Sequence, residues 1–402
     1  MKKRLLVLLT VLWPLWASAQ VLRFATWDGS ENLDIQRRIA AAFEQRHPGV
    51  RVQVEAYGAG FNQKLSAAFG ARNPPDVMMM WNFPLYHRVL EPLDAYQARE
   101  PAFEASDLVP GLLRFASVDG RLYGVPAGFT SQVIYYNKDM FDRAGLAYPK
   151  ADWRWEDLRV LAQKLSRPAA KVYGYGLDVA PDPYDFQGYL WSAGARMLAG
   201  DGQRLRGELD SAASQAMFNM LLGLLDQGLA ATLGVGDGKN QRQLFVADRV
   251  AMLMDGAAFR LELAQDGKRY GVAPLPSFQG RPAHSVVSVS SLAIARDSKQ
   301  KELAWQFIRF YSSAEAVRLR QGDLPVLLSV ARELALQDDP QVAPFYAMAL
   351  SMRDEVPAFL LNPRWTRASG VVRDAIQEVF LKKGDVAAIL SKAAAKAERK
   401  LQ

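Results

Sequence analysis

Residues Val21–Thr26 form a short, mostly apolar run, which predicts a buried strand. Trp27-Asp28-Gly29-Ser30 ends it. Ile35, Ile39, Ala42 and Phe43 then recur at helical spacing, and His47-Pro48-Gly49 stops that helix. Val50, Val52 and Val54 alternate with other residues and predict a second strand. A strand, a helix and a strand within about 35 residues make a crossover unit, so the sheet they open is parallel. Phe61, Leu65, Ala68 and Phe69 mark the next helix, Pro74-Pro75 breaks it, and Asp76–Met80 is another buried run. Trp27-Asp28 and Trp81-Asn82 both stand at carboxyl ends of strands, where open α/β sheets bind ligands.

Farther along, "GRLYGVPAGFTSQVIYYNK" (120–138) predicts a strand ending near Pro126, a small polar stretch, and a strand at Val133–Tyr136. A helix over 138–144 closes at Gly145, and Trp153-Arg154-Trp155-Glu156 opens one that runs to about Ser166. Strands are predicted at Tyr173–Asp178, Val250–Met254, Tyr270–Pro276 and Val286–Ala295. Helices are predicted over 183–193, over 211–227, from Gly256, and at Lys299–Tyr311, where Leu303, Phe307 and Phe310 share one face. The Ala/Lys-rich end, Ser391–Gln402, reads as a solvated helix face. No repeat at solenoid spacing and no low-complexity linker interrupts the chain.

The first nineteen residues carry a different pattern. Lys2, Lys3 and Arg4 precede an apolar run from Leu5 to Trp16, and Ala17-Ser18-Ala19 completes an export signal with its cleavage site. The apolar run is shorter than the roughly 20 residues that span a bilayer. The expected product starts at Gln20, carries no lipid anchor because no Cys follows the cleavage site, and resides in the periplasm or extracytoplasmic space. ATP and NAD are not supplied there. The stretch Gly234–Lys239 imitates a phosphate loop, but it lacks the earlier glycine, and Asn240 replaces the Ser/Thr after the lysine.

Composition narrows the chemistry further. The chain of 402 residues is 50% hydrophobic, 23% charged and 10% aromatic, which fits a globular protein of two lobes. It has no cysteine and three histidines, His47, His87 and His284, far apart in sequence. Thiolate metal sites, Cys nucleophiles and multi-His metal centres are therefore not expected, and no cofactor is. The formal charge of +7 speaks to solubility and steering, and nucleic-acid binding is not expected from it.

Five blocks, in order, carry a resemblance. They are "DGRLYGVPAGFTSQVIYYNKDMFDRAG" (119–145), "WRWEDLRVLAQKL" (153–165), "FVADRVAMLMDG" (245–256), "YGVAPLPSFQG" (270–280) and "SLAIARDSKQKELAWQFIRFYSS" (291–313). Together they resemble the extracellular solute-binding proteins of ABC importers, in the carbohydrate-binding branch that contains maltose-binding protein. The resemblance implies an α/β, two-lobed periplasmic-binding-protein fold of type II. Each lobe would be a mostly parallel sheet flanked by helices. Hinge crossings would fall near Phe129–Gln132, Pro276–Ser288 and Gly322–Val326. Lobe one would hold 20–129 and 285–324, and lobe two 130–284 and 325–402. Such a protein is expected to be a non-catalytic monomer that closes on a small solute and delivers it to permease subunits in the membrane.

A sugar has apolar ring faces and polar edges, so its site needs aromatic platforms beside Asp, Asn, Gln or Arg. By position in the family pattern the expected ligand contacts are Trp27 and Asp28, Trp81 and Asn82, the crossing residues Phe129, Thr130 and Ser131, and Tyr184 and Gln187. Asp255 and Gly256 follow, and then Trp365 with Arg364 and Arg367 beside it. Trp27 and Asp28 also fit a core tryptophan and a helix-start aspartate. Where the family often has a Trp after the Gly, this chain has Ala257-Ala258, then Phe259 and Arg260, which implies either a different or larger ligand or Phe259 as a substitute platform. Two other functions compete with the sugar reading. A charged solute, glycerol phosphate or a polyamine, would use Arg260, Arg364 and Arg367 or several carboxylates. An exported glycoside hydrolase would need two carboxylates facing across the cleft, for which Asp28 and Asp255 are available. N-terminal sequencing of the exported protein is expected to start at Gln20, within a residue or two; an intact Met1 would contradict the export signal.

Overall fold

β1 (Gln20–Thr26), β2 (Val50–Ala56) and β3 (Val77–Met80) build the first half of one sheet. β1 runs parallel to β2 from Gln20↔Val50 to Thr26↔Ala56, and parallel to β3. The helix Ser30–Arg46 makes the crossover. The computed structural model describes residues 20–99, 107–233, 240–320, 322–352, 355–382 and 384–402. The expected export signal over 1–19 and the glycine-rich stretch 234–239 lie outside the described residues.

A small hairpin, β4 (Ser117–Val118) with β5 (Arg121–Leu122), precedes β6 (Val125–Ser131) and β7 (Val133–Asn137). β8 (Tyr173–Asp178), β9 (Ala230–Leu233), β10 (Val250–Asp255), β11 (Tyr270–Ala273) and β12 (Val287–Ile294) complete the strands. One five-stranded sheet has the order β2-β1-β3-β12-β6, the other β11-β7-β10-β8-β9. The fold is thus α/β with two sheets, as expected, but each sheet is mixed. β12 runs antiparallel to β3 and β6, and β7 runs antiparallel to β10 and β11. One strand in each sheet is reversed, β12 in the first and β7 in the second, because each enters its sheet directly from a passage rather than through a helical crossover; β6, antiparallel to β12, keeps the direction of β3.

The central strands are apolar throughout because both faces are covered. Val77–Met80 and Val250–Met254 are fully buried runs of this kind. Phe24 and Phe43 meet Phe307 of the helix Lys301–Tyr311 at ring separations of 5.1 and 5.2 Å, so two helices seal one face of the first sheet. Trp155, Tyr175, Phe186 and Phe218 fill the core against the second sheet. Met140 donates its N–H to the Asn137 side chain at 3.1 Å, which starts the helix Lys138–Arg143 at the end of β7.

One strand outruns its sequence signal. Pairing in β6 continues past Pro126 to Ser131, through residues whose small side chains suggest a loop. Proline has no N–H to give, and the register shifts between Ser290 and Ser291, opposite Pro126. β6 then passes into β7 through Gln132 alone. The return passage runs beside it: Gln132 N–H donates to the Ser285 hydroxyl at 2.7 Å, and that hydroxyl donates to the Gln132 carbonyl at 3.0 Å. A third passage lies on the other side, where Phe129 and Leu324 exchange both backbone hydrogen bonds, at 2.9 and 2.8 Å.

The helix Trp155–Leu165 lies so close on β8 that a Cβ at Gly174 would sit inside the Ala162 backbone. Gly223, in the helix Ala212–Asp226, has only the end of Gln227 nearby. Gly174→Ala is expected to lower stability by about 1–3 kcal/mol, and Gly223→Ala to raise it by about 0.5–1 kcal/mol. Thermal denaturation of the two variants checks the sign of each.

Candidate functional site

The strand ends and the three passages frame two adjoining cavities between the sheets. The larger, about 660 Å³, is lined by Thr130, Ser131 and Gln132 of the first passage and by Asp178, Asp185, Asp255 and Arg242. The smaller, about 490 Å³, is lined by Trp27, Phe61, Trp81, Phe115, Tyr184, Phe359 and Trp365. Ser288 on β12 belongs to both walls, so the cavities meet there. One compartment is polar and rich in carboxylates, and its neighbour is walled by aromatic rings.

The aromatic wall draws on distant segments. Trp27 follows β1 and meets Phe61 edge-on at 5.5 Å. Trp81 follows β3 and meets Phe359 edge-on at 5.0 Å, and Phe359 lies 5.9 Å from Tyr184. Tyr184 stands in the first turn of the helix Pro183–Ser192, and the Asp182 side chain accepts the Tyr184 N–H at 2.9 Å. Its hydroxyl donates to the Val287 carbonyl at 2.9 Å and pairs with the Ser288 hydroxyl at 2.7 Å. Tyr184 thereby pins this helix to β12, and burial pushes its phenol above the ordinary range. Trp365 opens the helix Trp365–Lys382 and is almost wholly buried against this wall.

In the polar compartment Asp255, the last residue of β10, takes a two-pronged ion pair from Arg242, with both contacts at 2.8 Å. Arg242 also reaches Glu262, and its guanidinium lies 5.2 Å above the Phe259 ring. Thr130 accepts the Ala257 N–H at 2.6 Å, which ties the first passage to the turn after β10. The Asp178 side chain accepts the Ala180 N–H at 2.8 Å, and burial raises its carboxyl above the usual range. Asp185 is exposed at the wall of the open cavity. The protein packed around the cavity mouth withdraws water from its carboxyl, and that desolvation, followed by the charges of Asp182, Asp255 and Asp178, pushes it up to about 6.

Of the expected contacts, Trp27, Trp81, Thr130, Ser131, Tyr184, Asp255, Gly256 and Trp365 line the two compartments. The others are placed elsewhere. Asp28 is occupied by Gln36 at 2.7 Å and Thr26 at 3.0 Å. Asn82 and Phe129 are buried outside the lining, the latter against Tyr346 at 5.2 Å. Gln187 turns to the helix Ala358–Leu361, where its side chain accepts the Ala358 N–H at 3.1 Å. Phe259 is core, edge-on to Tyr135 at 5.1 Å, and offers no free face, so of the two alternatives for the missing Trp it does not serve as the substitute platform. Arg260 lies over Phe345 at 5.7 Å. Arg364 bonds the Leu401 carbonyl at 3.2 Å near the chain's end, and Arg367 is exposed. The three arginines therefore do not assemble into an anion site. Sequence reasoning missed Phe61, Asp178, Asp182, Asp185, Arg242, Ser288 and Phe359. For Asp182 and Asp185 the helix-start pattern around Tyr184 was the available signal. Phe359 had none, because only the fold brings it to Trp81. Among the described residues no group of His, Cys, Asp and Glu could hold a metal ion.

The sequence profile described as bacterial extracellular solute-binding protein matches residues 29–318. A binding protein of Brucella abortus is 26% identical, over 90% of this chain and 88% of its own length. The sn-glycerol-3-phosphate-binding periplasmic protein UgpB of Brucella melitensis is 23% identical, over 78% of this chain and 77% of its own. Among solved structures, the sugar-binding protein MalE of Xanthomonas citri superposes with a TM-score of 0.80 at 22% identity, covering 95% of this chain and 97% of that one. UgpB of Mycobacterium tuberculosis in complex with glycerophosphocholine also scores 0.80, at 21% identity over 94% of this chain and 98% of that one.

The raised Asp185 carboxyl sets a pH signature. Its ionised form is disfavoured in the folded protein, so its contribution to stability is full below the unfolded value of about 4 and is lost as pH rises through about 6. Asp185→Asn is expected to gain stability relative to the parent across that window and to hold a constant advantage above it. Melting temperatures of both proteins from pH 4 to 8 check this; an offset that does not change with pH would contradict it.

Proposed function

The chain belongs to the bacterial extracellular solute-binding protein family, and on that premise we propose that it captures a saccharide between its two lobes for an ABC importer. The fold and family are those of non-enzymatic transport proteins. The observation that carries the saccharide reading is the aromatic compartment: Trp27, Trp81, Tyr184, Phe359 and Trp365 around about 490 Å³, opening at Ser288 into a polar compartment. Ring faces of a sugar would stack on the aromatics, while its hydroxyls would meet carboxylates and amides next door.

A phosphate-bearing solute is the second reading, favoured by the two relatives named for glycerol phosphate and glycerophosphocholine. The described lining speaks against it. Arg242 is its one described cation, and Asp255 and Glu262 already engage it. A phosphate there would face Asp178 and Asp185.

In the proposed cycle the lobes, 20–129 with 285–324 and 130–284 with 325–402, close about the three passages. Closure is productive because the solute contacts both walls only in the closed state. The protein acts outside the cytoplasmic membrane, and membrane-spanning permease subunits receive the cargo. Among the described residues no helix is long and apolar enough to cross a membrane.

Thermal-shift screening against mono- and oligosaccharides, glycerol phosphate and polyamines tests the reading. A saccharide at a thousandfold excess over Kd is expected to add about 4 kcal/mol, and X-ray scattering is expected to show a smaller radius of gyration with it bound. Trp81→Ala and Trp365→Ala are each expected to weaken binding by about 1 kcal/mol or more. A shift produced by glycerol phosphate alone, or wild-type affinity in both variants, would contradict the saccharide site.

A further inference from the structure

The polar compartment carries more negative charge than its own residues neutralise. Asp255 is matched by Arg242, at two contacts of 2.8 Å, and the same guanidinium also serves Glu262. Asp178 and Asp185 line the same cavity with no ion pair to any described residue. Asp182 follows at the junction with the aromatic compartment, where Arg373 holds it at 2.9 Å from the outside. β8, β10, the start of the helix Pro183–Ser192 and the helix Gln241–Val246 thus bring three carboxylates and one saturated guanidinium to a single cavity, with Asp182 at the edge of the next. The groups facing Asp185 are Asp182 on its own helix, Asp178 on β8, Asp255 on β10, and Arg242.

Resting on the saccharide reading above, we propose that the cargo bears an amine: an amino sugar, or an oligosaccharide containing one. Its ammonium sits between Asp178 and Asp185, and its ring lies against Trp81 and Trp365.

The physical case is one of balance. A neutral sugar entering this space would leave two carboxylates repelling each other with less water to screen them. An anion would add to that repulsion. An ammonium removes it and replaces water contacts with charge-assisted hydrogen bonds, roughly twice as strong as neutral ones. The adjoining rings favour the same ligand, because an aromatic face attracts a cation as well as an apolar ring. Ser288, shared by the two compartments, is the point at which ring and amine would join.

The test is calorimetric titration of the purified protein at pH 7.5. The probes are glucosamine and its β1,4-linked dimer, glucose and cellobiose, the N-acetylated forms of the amines, and spermidine. An amine-bearing sugar is expected to bind about tenfold tighter than both its neutral and its N-acetylated counterparts, the effect of one charge-assisted hydrogen bond. In Asp185→Asn and in Asp178→Asn that preference is expected to fall to about twofold or less, a partial loss of that bond. Cooperative thermal unfolding of each variant without ligand, near the parent's midpoint, establishes that it is folded. A neutral sugar that binds as tightly as its amine overturns the inference and leaves the saccharide reading standing. Spermidine bound while every sugar fails overturns the saccharide reading itself. Failure of every amine to bind overturns the inference, as does a preference unchanged in both variants.

Discussion

The arrangement rests on how the backbone crosses from one sheet to the other. β6 lies between two other passages: Phe129 gives both its backbone groups to Leu324, and Gln132 is held by Ser285 on the opposite side. A crossing strand that left these groups unpaired in a buried setting would lose about 1–3 kcal/mol for each. The three passages therefore hold one another in register. Gly128 shows how tightly they fit, since a Cβ there would run into the Asp323 side chain of the third passage. The ends of β6 and the start of β12 form the shared floor of the cleft, and Thr130, Ser131 and Ser288 face it because of that register.

From that floor the two walls acquire opposite characters. The aromatic wall combines Trp27 and Trp81, which follow parallel strands of the first sheet, with Tyr184, Phe359 and Trp365 from helical segments packed with the second. The polar wall belongs almost wholly to the second sheet and its helices, where β8 and β10 end side by side. Their terminal residues, Asp178 and Asp255, reach the same cavity for the reason ligands gather at the carboxyl ends of parallel strands. Arg242 keeps this wall from being a bare cluster of like charges. It satisfies Asp255 and Glu262 and stacks over Phe259, so that its position is set from three sides.

Much of the framework was legible in the chain itself. The central strands announce themselves as unbroken apolar runs, and the crossover from β1 to β2 as alternation joined to helical spacing. Trp27, Trp81 and Asp255 could be placed at strand ends because each directly follows a largely apolar run. The mixed direction of the sheets was not legible, because direction depends on which element returns from the other lobe. The continuation of β6 past Pro126 was hidden as well, since its small residues read as loop until β12 supplies a partner.

The sequence by itself determined the fold class, the strand ends where ligand contacts could gather, and the family through its ordered blocks, all of which depend on neighbours along the chain. Only the tertiary structure decided which of those residues face the cleft. Asp28 turned to Gln36, Phe259 turned to the core and Arg364 turned to the chain's end. Phe359 and Asp185, neither among the expected contacts, came to the walls instead. A side chain's direction at a strand or helix end is set by the nearest group that can bury it or bond it. In a two-lobed chain that group can lie hundreds of residues away, as Phe359 does from Trp81.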